Sequence, residues 1–230
     1  MAETLDPILQ PLPQTAPAQP APHRLASASG GPRTDHAVIA SMVREGAKVL
    51  DIGCSDGVLM DLLTRERGAK ARGMEISQAG VNACVAKGLS VVQGDADRDL
   101  SDYPDDSFDY VVLSKTIQAV RHPRYVLKEL TRIAERAIVS LPNFGHWRMR
   151  TQLFFKGRMP NTPALPTRWC ETENLHLCTI RDFAELAREL HLEIERAVPI
   201  SEGRAGAPFA NTLWRANWFA EEAVFLLARK

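Results

Sequence analysis

The sequence predicts an α/β fold in which a mostly parallel sheet is covered by helices on both faces. Three observations carry this expectation. Apolar runs of strand length alternate with stretches whose apolar residues recur at helical spacing. A short glycine-containing turn joins the first such run to the first helix, and acidic residues recur at the ends of the first three runs. The chain has 230 residues and is 45% hydrophobic, enough for one α/β domain with an embellishment. Lys plus Arg and Asp plus Glu both number 28, so no global field draws the protein to nucleic acid or to a membrane. No apolar run approaches the roughly 20 residues of a membrane span, and the N-terminus lacks a signal-like apolar core. The expected location is the cytoplasm. Cys54, Cys84, Cys170 and Cys178 form no C-x-x-C pair, so they are expected to be reduced and no metal site is expected.

Taken in order, residues 1–32 hold seven of the 15 prolines among Ala, Gln and Ser. Such a composition offers too few large apolar groups to offset chain entropy, and a disordered Pro/Ala-rich tail is predicted. A single domain is expected over residues 33–230. Residues 34–44 place Val38, Ile39, Met42 and Val43 on one helical face. Strands are predicted at 48–52, 70–75, 89–93, 108–113 and 136–141, with helices at 57–67, 78–87 and 123–134 between them. The third helix shows the stripe Val126, Leu127, Leu130 and Ile133. Strands and helices alternating in this way imply right-handed βαβ units. Residues 142–178 break the pattern with prolines, Trp147, Trp169 and little periodicity, and read as an insertion. Thr179 with Asp182 then resembles a capping box ahead of Phe183, Leu186, Ala187 and Leu190. Strands at 192–198 and 221–228 bring the predicted total to seven.

The ligand of an open α/β sheet sits beyond the carboxyl ends of its strands, where the strand order reverses. The turn Gly53-Cys54-Ser55-Asp56-Gly57 falls there. Its spacing is not the G-x-G-x-x-G of a dinucleotide site, and no Gly-Lys-Ser/Thr of a P-loop follows. Asp51 and Asp56 also stand where a phosphate would have to bind. Like charges about 4–5 Å apart cost on the order of 3–4 kcal/mol at an effective dielectric near 20. A cationic nucleoside turns that cost into attraction, and S-adenosyl-L-methionine has an adenosine, a sulfonium and no phosphate. Glu75, 22 residues beyond Gly53, is placed to accept from both ribose hydroxyls, and Asp95 from the adenine amino group.

The stretches LDIGCSDG, GMEIS, QGDA and PDDSFDYVVLS resemble the cofactor motifs of class I S-adenosylmethionine-dependent methyltransferases. SKTIQAV, IVSLPNFGHWRMR, GRMPNTPALPTRW, ENLHLCTIRDF and the terminal NWFAEEAVFLLARK resemble, more specifically, the MetW family of methionine biosynthesis. This resemblance implies a Rossmann-like class I methyltransferase fold, a seven-stranded, mostly parallel sheet and a lid-like insertion after the fifth strand. It also implies that S-adenosyl-L-methionine or S-adenosyl-L-homocysteine is held by Asp51, Gly53, Cys54, Ser55, Gly57, Glu75, Ile76, Asp95, Ala96 and Ser114. Three departures stand out: Ser55 where glycine is usual, Lys115 where glutamine is usual, and Cys170-Glu171 where an aromatic and an aspartate are usual. Lys115 would oppose a sulfonium unless it pairs with an acid.

The family resemblance further implies a role beside homoserine O-acyltransferase, as an activating or regulatory subunit that binds the pathway's end product. The alternative is a working methyltransferase on a small-molecule acceptor. No Asn-Pro-Pro-Tyr follows the fourth strand, which disfavours base or amide N-methylation, and His146 is the candidate general base. A nicotinamide-dependent oxidoreductase is disfavoured by the loop spacing and by Asp56. In the insertion, Arg148, Arg150, Lys156, Arg158 and Arg168 face only Glu171 and Glu173, which reads as either a solvated loop or a docking surface for an acidic partner or an anionic acceptor.

Overall fold

The computed structural model describes residues 33–160, 162, 169–172, 176–209 and 213–229. The predicted tail at 1–32 lies outside them. One sheet runs through the molecule, built from β1 (Lys48–Ile52), β2 (Lys70–Glu75), β3 (Val91–Gln93), β4 (Phe108–Ser114), β5 (Ala134–Pro142), β6 (Leu192–Ser201), β7 (Arg204–Ala205) and β8 (Glu222–Arg229). Their order is β3-β2-β1-β4-β5-β8-β6-β7. The first five strands pair in parallel, whereas β8 runs antiparallel to both β5 and β6. The eighth strand is the two-residue β7, which closes a hairpin on the end of β6. Sequence reasoning counted seven because two residues carry no alternation to read.

The helices are α1 (Thr34–Met42), α2 (Val58–Arg67), α3 (Gln78–Ala86), α4 (Pro123–Ile133), α5 (Trp147–Lys156), α6 (Ile180–Glu189) and α7 (Leu213–Phe219). Alternation along β4 divides the interior in two. Val111 and Leu113 face a core shared with α4 and α6, while Tyr110 and Val112 face one shared with α1 and α2. The α4 stripe Val126, Leu127, Leu130 and Ile133 is fully buried, as its spacing predicts. Pro123 opens that helix, where its missing N–H costs nothing. The Thr179–Asp182 capping box forms at α6, with Phe183 and Ala187 buried and Leu186 and Leu190 packed at the margin.

Two helices differ from expectation. Of α5 only Met149 is buried, so its sequence has no apolar period to announce a helix. In α7 only Ala216 and Asn217 are buried. Both are held by polar ties: Asn143 Nδ2 donates to the carbonyls of Asn217 and Ala220 at 3.0 and 2.8 Å, and the Arg150 guanidinium lies 4.4 Å from the Trp218 ring centroid. No helix among the described residues is long and apolar enough to cross a membrane.

Candidate functional site

The carboxyl ends of β1 and β4 lie side by side where the strand order turns back, and the Gly53–Gly57 loop opens there. The N–H groups of Gly53 and Cys54 both donate to the Met74 carbonyl, at 2.8 and 3.2 Å, pinning the loop to the end of β2. Gly53 and Gly57 adopt φ +72° and +75°. A Cβ on Gly53 would lie 2.8 Å from Thr116 Oγ1, and one on Gly57 would lie 2.4 Å from Leu89 Cδ1. Conformation and space therefore both require glycine. Ser55 takes φ +52° without being glycine, at a cost of about 1 kcal/mol. Ser55→Gly is expected to stabilise the fold by about 0.5 kcal/mol, because the strain released exceeds the added chain entropy. Urea unfolding of both proteins checks this. A less stable variant would show that the Ser55 hydroxyl outweighs its backbone strain.

The Cys54 side chain turns down into a small apolar core with Met60 and Cys84, its Sγ 3.8 Å from Cys84 Sγ. Burial pushes both thiols up, so they sit beneath the loop as protonated packing groups. Only the main chain of Cys54 is left to meet a ligand. Cys84 also donates to the Ser55 carbonyl at 3.3 Å, supporting the strained residue from below.

Glu75 is 2% exposed, and each of its carboxylate oxygens accepts one backbone N–H: Oε2 from Ser55 and Oε1 from Ser77, both at 2.8 Å. One donor comes from the loop after β1 and the other from the turn after β2, so the carboxylate is locked between them. Gly80 makes room for it, since a Cβ there would lie 2.7 Å from Glu75 Cγ. A carboxylate offers about four acceptor positions, so two remain for a ligand. Ile76 follows with an exposed apolar side chain. Asp95 is partly committed, its Oδ1 accepting from Asp97 N–H at 2.9 Å, and Ala96 packs against the larger core.

Asp51 is also 2% exposed, and its Oδ1 has no hydrogen-bond partner. Burial pushes its carboxyl up to about 7, Arg33 opposes the shift and Glu75 adds to it. Asp56 behaves differently from its place in the sequence. It is exposed and pairs with Lys87 Nζ at 3.1 Å, while Lys87 also donates to its carbonyl at 2.6 Å. Its Oδ1 also accepts from Val58 N–H at 3.4 Å at the start of α2, where Gly57 holds the N-cap position. The buried acids left to face a ligand are therefore Glu75 and the readily protonated Asp51, whereas Asp56, which the sequence set beside them, is paired with Lys87 at the surface.

A charge cluster that sequence reasoning missed adjoins this site. Arg33 holds Asp35 through two bonds, at 3.1 and 2.6 Å, and donates to Ser114 Oγ at 3.2 Å. Lys115 pairs with Glu222 at 2.7 Å and reaches Asp35 at 4.0 Å. Burial raises the Asp35 carboxyl, but Lys115 and Arg33 together pull it below the usual range. The neighbouring His36 is held down to about 4 by burial and by Arg33, so it is neutral at physiological pH. Lys115 thus has the acidic partners that the sequence required of it. No local spacing marks Arg33, Asp35 or Glu222; only Lys115 carried a signal.

His146 caps α5, its Nδ1 accepting from Arg148 N–H at 3.4 Å. Burial holds the imidazole below its ordinary pKa, with the Glu221 carboxylate and a bond to the Phe219 backbone acting the other way. Of the basic residues in the insertion, Arg148 pairs with Glu221 and Glu202 at 3.4 and 3.7 Å, and Arg150 donates to the Gly145 carbonyl while stacking on Trp218. These two arginines tie the insertion together and are not free docking charges. Arg168 and Glu173 lie outside the described residues.

A glycine loop at the switch point, a locked acid at the end of β2 and the β8 reversal define the class: a protein with the S-adenosylmethionine-dependent methyltransferase fold. The chain is similar to a Thermotoga maritima S-adenosylmethionine-dependent methyltransferase described as a possible histamine N-methyltransferase. The TM-score is 0.62 at 17% identity, covering 86% of this chain and 88% of that one. It is similar also to the Haloferax volcanii complex of the Trm112 methyltransferase activator with a putative methyltransferase (TM-score 0.61, 18% identity, 85% and 89% covered). A third neighbour is the [4+2]-cyclase SpnF (TM-score 0.58, 17% identity, 85% and 80% covered), so the fold also supports other chemistry. The chain belongs to the MetW family, methionine biosynthesis protein MetW, which it matches over residues 33–227. A bifunctional methionine biosynthesis protein MetXA/MetW of Rhodopirellula baltica is 32% identical across 71% of this chain. The match spans only 28% of that longer relative.

Proposed function

We propose that this protein binds S-adenosyl-L-methionine or S-adenosyl-L-homocysteine beside Asp51 and Glu75 and acts as a regulatory subunit of homoserine O-acyltransferase. The observation that supports the ligand is the buried acid pair. Glu75 is held by two backbone donors with acceptor positions to spare, and Asp51 keeps an unpartnered buried oxygen. An unpaired buried carboxylate is costly, and a bound cation relieves that cost. Glu75 and Asp95 suit the adenosine, the main chain of Gly53–Gly57 suits close approach, and Ile76, Ala96 and Ser114 complete the lining. The ligand, when bound, would supply the reactive methyl group or the end-product signal.

The partner is supported by the relative in which a MetW portion and a MetXA portion share one chain. A domain fused to a second enzyme of the same pathway acts at a high effective concentration beside it. The competing reading, methyl transfer to a small acceptor, needs a base. His146 is neutral, but its ring is engaged on both sides by the start of α5 and by the Phe219 backbone. Calorimetry with S-adenosyl-L-methionine, S-adenosyl-L-homocysteine and NAD tests the ligand, followed by acyltransferase assays with and without this protein. Binding of both adenosyl compounds, no binding of NAD and a changed acyltransferase rate are expected. NAD binding, or a rate indifferent to the protein, would overturn the reading.

A further inference from the structure

All four tryptophans of this chain are exposed, and so are Phe154 and Phe155. Among the described residues every exposed Trp or Phe comes from the chain beyond β5, and all but Trp169 stand on α5 or α7. Phe154 is 82% and Phe155 78% accessible, with their rings edge to face at 5.0 Å. On α5, Trp147, Phe154 and Phe155 stand at i, i+7 and i+8, one face of the helix. That face turns away from the fold, since Met149 alone is buried. The Arg150–Trp218 stack and the Asn143 bonds to Asn217 and Ala220 fix α7 beside α5, so the aromatic surface is preformed. Exposed tryptophan and phenylalanine in contiguous patches mark interaction surfaces, and aromatic anchors dominate their binding energy.

We infer that the α5–α7 aromatic ridge docks in an apolar groove rimmed by carboxylates on homoserine O-acyltransferase; this rests on the partner reading above. The fused relative points to this occupant, and charge on this side sets the kind of surface it would present. Lys156 and Arg158 after the phenylalanines and Arg215 on α7 are exposed and form no ion pair among the described residues. Their cationic rim complements an acidic one. A second copy of this chain would bring the same cations face to face in a two-fold contact. The fused relative keeps a MetXA portion within constant reach of its MetW portion.

The test uses the full chain and its cognate acyltransferase in calorimetry and sedimentation, with S-adenosyl-L-homocysteine affinity measured in parallel. Phe154→Ser with Phe155→Ser is expected to weaken acyltransferase binding at least 100-fold, and Lys156→Glu with Arg158→Glu about tenfold. Both variants should keep the parental affinity for S-adenosyl-L-homocysteine, which shows that the domain is folded. If the parent binds and the phenylalanine variant binds equally well, the ridge is wrong and the partner reading stands. If the parent itself fails to bind, both fall. Parental self-association lost in the variant would assign the ridge to a second copy. Binding to anionic vesicles in place of the acyltransferase would assign it to a membrane surface.

Discussion

Glu75→Gln is expected to weaken binding of S-adenosyl-L-methionine and S-adenosyl-L-homocysteine by about 100-fold. The carboxylate receives N–H groups from Ser55 and Ser77 at 2.8 Å, one on each oxygen. A glutamine of the same shape must turn its NH2 toward one of those donors. That leaves a buried N–H unpaired or displaces the side chain. The same change removes charge from the acceptor facing the ribose, and hydrogen bonds to a charged group contribute about 1.5–3 kcal/mol. Roughly 1.4 kcal/mol per factor of ten makes the upper end about 100-fold. The two compounds share their ribose, so both should lose affinity by similar factors. Some fold stability should fall as well, because an orphaned donor costs about 1–3 kcal/mol in a buried site. Calorimetry and thermal melting measure the two losses separately. Retained affinity for both compounds would remove Glu75 from the site.

The second large effect is on pH. Burial, with Glu75 adding to it, raises the Asp51 carboxyl from an ordinary 3.8 to about 7, while Arg33 only partly counters this. Between these values the ligand-free folded protein holds a proton that the unfolded chain has released. The stability contributed by this group is therefore present below about pH 4 and is lost as pH rises through about 7. The slope is on the order of 1.4 kcal/mol per pH unit. A cationic ligand favours the ionised carboxylate, so its binding below pH 7 expels that proton. Affinity for S-adenosyl-L-methionine should rise by up to about tenfold per unit between pH 5 and 7 and then level off. The ligand's α-amino group keeps its charge in that range, since such groups titrate near 7.7–8.0. His36, held down to about 4, also keeps one charge state there. S-Adenosyl-L-homocysteine lacks the sulfonium and should show a shallower rise. Asp51→Asn should flatten both profiles and stabilise the ligand-free protein at pH 8, while weakening S-adenosyl-L-methionine. A profile as steep in Asp51→Asn as in the parent would place the titrating group elsewhere.

Periodicity and local chemistry carried most of the fold. The strand runs, the α4 stripe and the Thr179–Asp182 box each record which face of a segment must leave water, and neighbouring residues write that information. Gly53 and Gly57 were legible for the same reason: a turn with φ above +70° admits little else. The helices α5 and α7 were not legible, because so few of their residues are buried that no period exists to detect. They are placed in good part by polar ties between residues distant in the chain, Asn143 to Asn217 and Ala220 and Arg150 to Trp218 among them.

The sequence by itself determined a doubly wound sheet, its switch point and the acids delivered to that point by successive strand ends. Which acids keep their charge in the pocket was decided only by the tertiary structure. Lys87 comes 31 residues along to draw Asp56 outward, Glu222 crosses 107 residues to meet Lys115, and Arg33 spans 81 to reach Ser114. Burial patterns repeat within a few residues and can be read locally. The pairing of charges depends on which strand ends the topology sets side by side, and that exists only once the chain has folded.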